Sequence, residues 1–122
     1  MPTDFKLSDQ ASDQRHVVSV AGEIDLFTAP ELKQRLVSLI DSGQRHIVID
    51  LSETTFLDST GLGVLIGAVK RLRGQDGELV IVNRDESIAK TFEITGLDQI
   101  FTIRSTREEA LGAFTDRQDQ IA

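Results

Sequence analysis

The sequence predicts an α/β domain, and three observations lead there. Apolar periodicity between Val17 and Phe114 switches repeatedly from short β-branched runs, suited to buried strands, to the three-and-four spacing of amphipathic helices. Helix starts and stops stand between the runs at readable positions. At 122 residues, 39% hydrophobic and 27% charged, the chain is long enough for one real core and too short for two ordinary domains.

In chain order, Phe5-Lys6-Leu7 predicts an edge strand, and Val17-Val18-Ser19-Val20 a short inner one. Thr28-Ala29-Pro30-Glu31 predicts a helix start: Thr28 caps, Glu31 closes a capping box, and Pro30 occupies the tolerated first turn. Leu32, Leu36, Leu39 and Ile40 then form one buried stripe. Residues 46–51 (HIVIDL) and 78–83 (ELVIVN) predict the central strands, the second apolar on both faces, as a strand covered on both sides is. Between them Leu62, Leu65, Ile66, Val69 and Leu72 repeat at helical spacing. That helix ends in Lys70, Arg71 and Arg73, which suit the negative end of its dipole, and stops at Gly74 and Gly77. A third helix is expected over residues 86–95, with Ile88, Ala89 and Phe92 inward, Gly96 as the left-handed stop and Leu97 as its apolar follower. Residues 100–103 (IFTI) predict a last strand. A fourth helix starts at Ser105, with Glu108 three residues on and Ala110, Leu111 and Phe114 facing in. The sequence from 115 to 122, TDRQDQIA, has little to bury and is expected to fray, which leaves 1–114 as the domain.

Charge and composition exclude whole classes of function. Thirteen Lys and Arg against twenty Asp and Glu leave a formal charge of −7, so gripping nucleic acid through its phosphates is not expected. With no cysteine there is no disulfide framework, thiolate nucleophile or cysteine-based metal site. The opening residues MPTDFKLSDQ contain no apolar signal region, and no apolar stretch approaches membrane-spanning length, so a soluble cytoplasmic protein with no membrane partner is expected.

Reactive groups are few. His16 and His46 open two different strands, and neither stands near a serine or carboxylate at a triad or zinc spacing, so both are expected to be packed or solvated strand-end side chains. Gly61-Leu62-Gly63-Val64-Leu65-Ile66-Gly67 has the outline of a dinucleotide fingerprint, but the third glycine falls one residue late. Gly63 and Gly67 are expected instead to let a neighbouring backbone approach the helix. Asp25, Asp50 and Asp58 are expected near strand C-terminal ends, yet the neighbouring acidic pair and the late lysine of a phospho-accepting receiver are missing. No catalytic constellation, metal site or cofactor is expected.

The segment with physical content is Phe56-Leu57-Asp58-Ser59-Thr60-Gly61-Leu62-Gly63, which puts Ser59 at a helix N-terminus. A hydroxyl there has an ordinary use as an N-cap, worth about 1 kcal/mol. Its sharper use is as a switch: a phosphoryl group on Ser59 adds about −1.5 to −2 charge beside Asp58, which the helix dipole tolerates and an acidic or tightly packed partner surface does not.

These residues resemble the bacterial anti-sigma factor antagonists, which are single STAS domains. Gly22-Glu23-Ile24-Asp25 leading into Thr28-Ala29-Pro30-Glu31-Leu32 is similar to the family's first turn and helix. Residues 46–52 and then Phe56-Leu57-Asp58-Ser59-Thr60-Gly61-Leu62-Gly63-Val64-Leu65 resemble its strand and phosphorylation loop. Phe92-Glu93-Ile94-Thr95-Gly96-Leu97, followed by Ile100-Phe101, resembles its late helix and last strand. Together these span nearly the whole domain in order. The resemblance implies the STAS-type α/β fold, a mixed sheet with about four packed helices, and a protein without catalysis of its own. It further implies phosphorylation at Ser59 by an anti-sigma factor that is also a serine kinase, reversal by a PP2C-type phosphatase, and release of a sigma factor when the unphosphorylated form binds the kinase. By position, Asp25, Asp58, Ser59, Thr60 and Gly61 become the partner-binding residues. Two other readings stay open on the sequence alone: a non-phosphorylated STAS subunit of a lipid-transport or stress-signalling assembly, and a nucleotide-binding module built on the glycine-containing turn.

Overall fold

The run Ile47-Val48-Ile49 lies at the centre of a five-stranded sheet because it carries apolar side chains to both faces. A computed structural model describes residues 5–114; the fraying expected for 115–122 falls outside them. In chain order the elements are β1 (Lys6–Ser12), β2 (Arg15–Ile24), α1 (Ala29–Asp41), β3 (His46–Leu57), α2 (Ser59–Arg73), β4 (Glu78–Val82), α3 (Glu86–Thr95), a 3-10 turn (Leu97–Gln99), β5 (Thr102–Arg104) and α4 (Arg107–Leu111). The strands stand in sequence order, with β1 antiparallel to β2 and the other pairs parallel. Parallel neighbours need crossovers, and α1, α2 and α3 supply them.

Alternation along each strand divides the core. Val18, Val20, Ile47, Ile49, Leu79 and Ile81 meet the buried stripes of α1, α2 and α3 on one face. Val17, Val48, Val80 and Val82 face the other way and are covered by Ala110 and Phe114. The predicted stripes hold with two adjustments. Leu39 and Ile66 lie partly buried at the core margin. Ala89, expected inward, is exposed, because Ile88 and Phe92 alone carry the buried line of α3.

Several boundaries move for identifiable reasons. Both β2 and β3 run well past their β-branched runs, because Ala21–Ile24 and Glu53–Leu57 continue to pair through two register shifts. The buried Thr54 hydroxyl helps hold the extension by donating to the Val20 carbonyl at 2.8 Å. β1 extends to Ser12 and meets β2 through Asp13 and Gln14, both at positive φ, the conformation of a tight two-residue hairpin without its usual glycine. The last strand starts two residues late: Leu97 and Phe101 are buried around the 3-10 turn, and Phe101 packs edge-on against Phe92 at 5.4 Å. α4 starts after Thr106, whose hydroxyl accepts the Glu109 N–H at 3.1 Å, so the cap sits one residue beyond the predicted Ser105/Glu108 pair; Glu109 reaches back past the cap to accept from the Ser105 N–H. Gly96 does adopt the left-handed stop, at φ 75°.

Candidate functional site

The site forms where β2 and β3 end side by side, Ile24 opposite Leu57. Past β2 the chain turns on Asp25. One oxygen of its carboxylate accepts the N–H groups of Phe27 at 2.9 Å and Thr28 at 3.1 Å. The Thr28 hydroxyl accepts the Asp25 N–H at 2.9 Å and donates to the Glu23 carbonyl at 2.7 Å. Thr28 therefore tightens this turn and makes no side-chain cap to α1; the expected Thr28/Glu31 capping box does not form, because the hydroxyl is already engaged. The turn holds Leu26 and Phe27 outward, 65% and 87% exposed.

Past β3 the Asp58 N–H donates to the Ile24 carbonyl at 3.1 Å, which ties the two loops together. Asp58, in extended backbone, is the N-cap of α2, and its carboxylate accepts the Gly61 N–H at 3.0 Å. The ordinary capping duty weighed for Ser59 thus falls to Asp58. Ser59 becomes the first residue of α2, exposed, and among the described residues nothing hydrogen-bonds its hydroxyl. Thr60 beside it is half-buried. Gly61 is buried, and a Cβ there would lie 2.6 Å from both Ile24 Cγ2 and Leu57 Cδ1, so only glycine lets α2 seat against the two strand ends.

The five residues singled out by sequence therefore gather on one rim: Asp25 shapes one loop, Asp58 the other, Gly61 seats the helix, and Ser59 and Thr60 open it. Leu26 and Phe27 were missed, and Phe56 was singled out only as the start of the segment leading to Ser59. Leu26, Phe27 and Phe56, the last 49% exposed and paired across the sheet with Glu23, give this rim an apolar surface. The available signal was two large apolar residues directly after Asp25, in a turn where polar side chains are the rule.

Other sequence candidates do not join the site. Asp50 is not at a strand end: β3 continues seven residues beyond it, and its buried carboxylate accepts from Arg107 and from the Ser52 hydroxyl, each at 2.6 Å. Burial opposes its ionisation, but the hydrogen bonds from Ser52 and Arg107 outweigh that, and its pKa lies below the ordinary aspartate value. His16 pairs with Asp9 at 2.7 Å, and His46 packs edge-on against Phe114. Gly63 and Gly67 face open space, with no atom within 4 Å of an added Cβ, so no backbone approaches them.

A mixed five-stranded sheet with helices crossing between its parallel strands has counterparts among known proteins. The family model for the STAS domain matches residues 7–110. The chain belongs to the STAS domain family, with the anti-sigma factor antagonists. Among these STAS proteins, the anti-sigma-B factor antagonist of Listeria monocytogenes is 42% identical over 101 residues, 82% of this chain and 89% of that protein. The crystal structure of an anti-sigma factor antagonist from Mycobacterium paratuberculosis matches with a TM-score of 0.87 at 34% identity, covering 95% of this chain and 98% of that one. SpoIIAA of Bacillus, solved in its phosphorylated form, shares the fold with a TM-score of 0.69 at 22% identity, over 98% of this chain and 100% of that one. The five-stranded mixed sheet with four helices is the STAS fold.

Proposed function

We propose that this STAS protein is a phosphorylation-controlled binding module that has no catalysis of its own and works in the cytoplasm. Unphosphorylated, it binds an anti-sigma factor that is also a serine kinase, and so frees a sigma factor. Phosphorylated on Ser59 it lets go, and a PP2C-type phosphatase resets it. The observation that carries this reading is the exposed, unengaged Ser59 hydroxyl at the start of α2 beside Leu26, Phe27 and Phe56.

The physical logic follows from that neighbourhood. A kinase needs an accessible hydroxyl on a firm backbone, and the Asp58 cap, the loop tie to Ile24 and the glycine seat provide the firmness. A phosphoryl group there is locally tolerated by the free amides of the first helical turn. Between the apolar rim and a partner, however, its charge of about −1.5 to −2 must be desolvated next to the carboxylates of Asp25 and Asp58. A penalty of about 3 kcal/mol corresponds to more than a 100-fold loss of affinity, enough for a switch. The phosphorylated form of Bacillus SpoIIAA, a protein of the same fold, supports carrying this chemistry to the present chain. In this reading Asp25 and Asp58 are partner contacts that also build their loops, and Thr60 and Gly61 shape the presentation of Ser59.

Phosphopeptide mapping after incubation with source-cell extract and Mg-ATP tests it, with wild-type and Ser59→Ala proteins in parallel. Phosphate on Ser59, absent from the variant, is expected. Phosphate on Thr60 alone would move the switch by one residue, and no phosphate while the extract's kinases are active would replace it with a constitutive STAS subunit.

A further inference from the structure

α1 and α2 pack side by side over the sheet but do not close against each other on the outside. Between them lies a cleft of about 590 Å³, within the range of small-molecule sites. Its walls are Leu36 and Val37 from α1 and Val64 and Ala68 from α2. Gly63 and Gly67 keep it open, because both present bare backbone with no neighbour within 4 Å of a Cβ. Its charged lining is of one sign, Lys33 and Arg71, on a chain whose formal charge is −7. Neither cation has a hydrogen-bond or ion-pair partner among the described residues. The cleft continues into a shallower groove past Pro30 and Val37, still flanked by Lys33 and Arg71, and only there does a carboxylate, Asp41, appear.

We propose that this cleft binds a free linear-chain carboxylate, its methylene tail between α1 and α2 and its head group at Lys33 and Arg71. Charge and size select this occupant. Apolar walls with two unpaired cations and no carboxylate complement an apolar body with an anionic end and oppose a cationic one. A three-turn partner helix, about 10 Å across and about 16 Å long, displaces roughly twice the cleft's volume or more, whereas a single methylene chain fits. The cleft meets the Ser59 rim at Thr60, which lines its end, but Leu26, Phe27 and Ser59 do not line it, and the proposal stands without the phosphorylation reading.

Titration calorimetry of the full chain with sodium decanoate, below its micellar concentration, tests the site. Saturable one-to-one binding is expected, with acetate silent and decyltrimethylammonium at least tenfold weaker. Gly67→Leu fills the cleft with a side chain that meets open space and raises helix propensity, so it should fold as well as wild type and bind decanoate at least tenfold more weakly. The Lys33→Gln, Arg71→Gln double variant should lose affinity for decanoate by a similar factor, with thermal unfolding confirming that both proteins are folded. Absence of saturable binding, undiminished binding by Gly67→Leu, or equal affinity for the cationic amphiphile would overturn the proposal. Sedimentation with phosphatidylglycerol vesicles by a protein that ignores monomeric decanoate would also overturn it, in favour of a lipid surface.

Discussion

Gly61 shows how little latitude a single position can have at this rim. Its missing Cβ is the clearance that lets α2 begin directly against Ile24 and Leu57, and Gly61→Ala forces two buried side chains to move. A loss of about 2 kcal/mol is expected by chemical denaturation, in the range of overpacking costs. Asp58 caps α2, and substitution can separate its acceptor from its charge. Asp58→Asn keeps an acceptor for the Gly61 N–H and should change stability by less than about 0.5 kcal/mol, whereas Asp58→Ala should cost about 1 kcal/mol. Phe27 is the opposite case. At 87% exposure it contributes little to the fold, so Phe27→Ala should leave the unfolding midpoint nearly unchanged while weakening partner binding by about 2 kcal/mol, roughly 30-fold, as an aromatic anchor does. Equal binding by Phe27→Ala would remove this side chain from the interface.

At the scale of elements, α4 is the least secured. Five residues long, it covers the second face of the sheet with Ala110 and the partly buried Leu111, helped by Phe114 just beyond its end, and Arg107 in its first turn reaches buried Asp50 and the Ser19 hydroxyl. Arg107→Ala leaves the Asp50 carboxylate with Ser52 alone and should destabilise the protein by about 2 kcal/mol at neutral pH. The sign of the pH dependence follows from the depressed pKa of Asp50. Its stabilisation is complete above the unfolded value of 3.8 and is lost as pH falls through the lower folded value. The stability gap between wild type and Arg107→Ala, followed by urea denaturation, should therefore narrow below about pH 4. A gap independent of pH down to the acid limit would mean that Arg107 acts through packing rather than through its charge.

Across the whole molecule, what could be read from sequence was what depends on local pattern. The two central strands, the α2 and α3 spans, the Gly96 stop and the gathering of Asp25, Asp58, Ser59, Thr60 and Gly61 all follow from periodicity, turn chemistry and family resemblance. Long-range competition decided the rest. Thr28 and Thr106 show that several hydroxyls and carboxylates near a helix start can exchange partners, and spacing alone does not choose among them. The polar second half of β3 is a strand only because β2 lies beside it, and the exposure of Leu26, Phe27 and Phe56 depends on which side of a turn meets solvent. Asp50 looked like a loop carboxylate because its partner, Arg107, lies 57 residues away.

The proposed switch is a property of the whole protein with its partner, and one comparison addresses it directly: the dissociation constant of the proposed anti-sigma factor kinase for unphosphorylated protein against protein stoichiometrically phosphorylated on Ser59. Weakening by about 100-fold or more is expected, with Ser59→Ala binding like the unphosphorylated form. Equal affinity for the two forms would contradict a charge-driven switch at this rim.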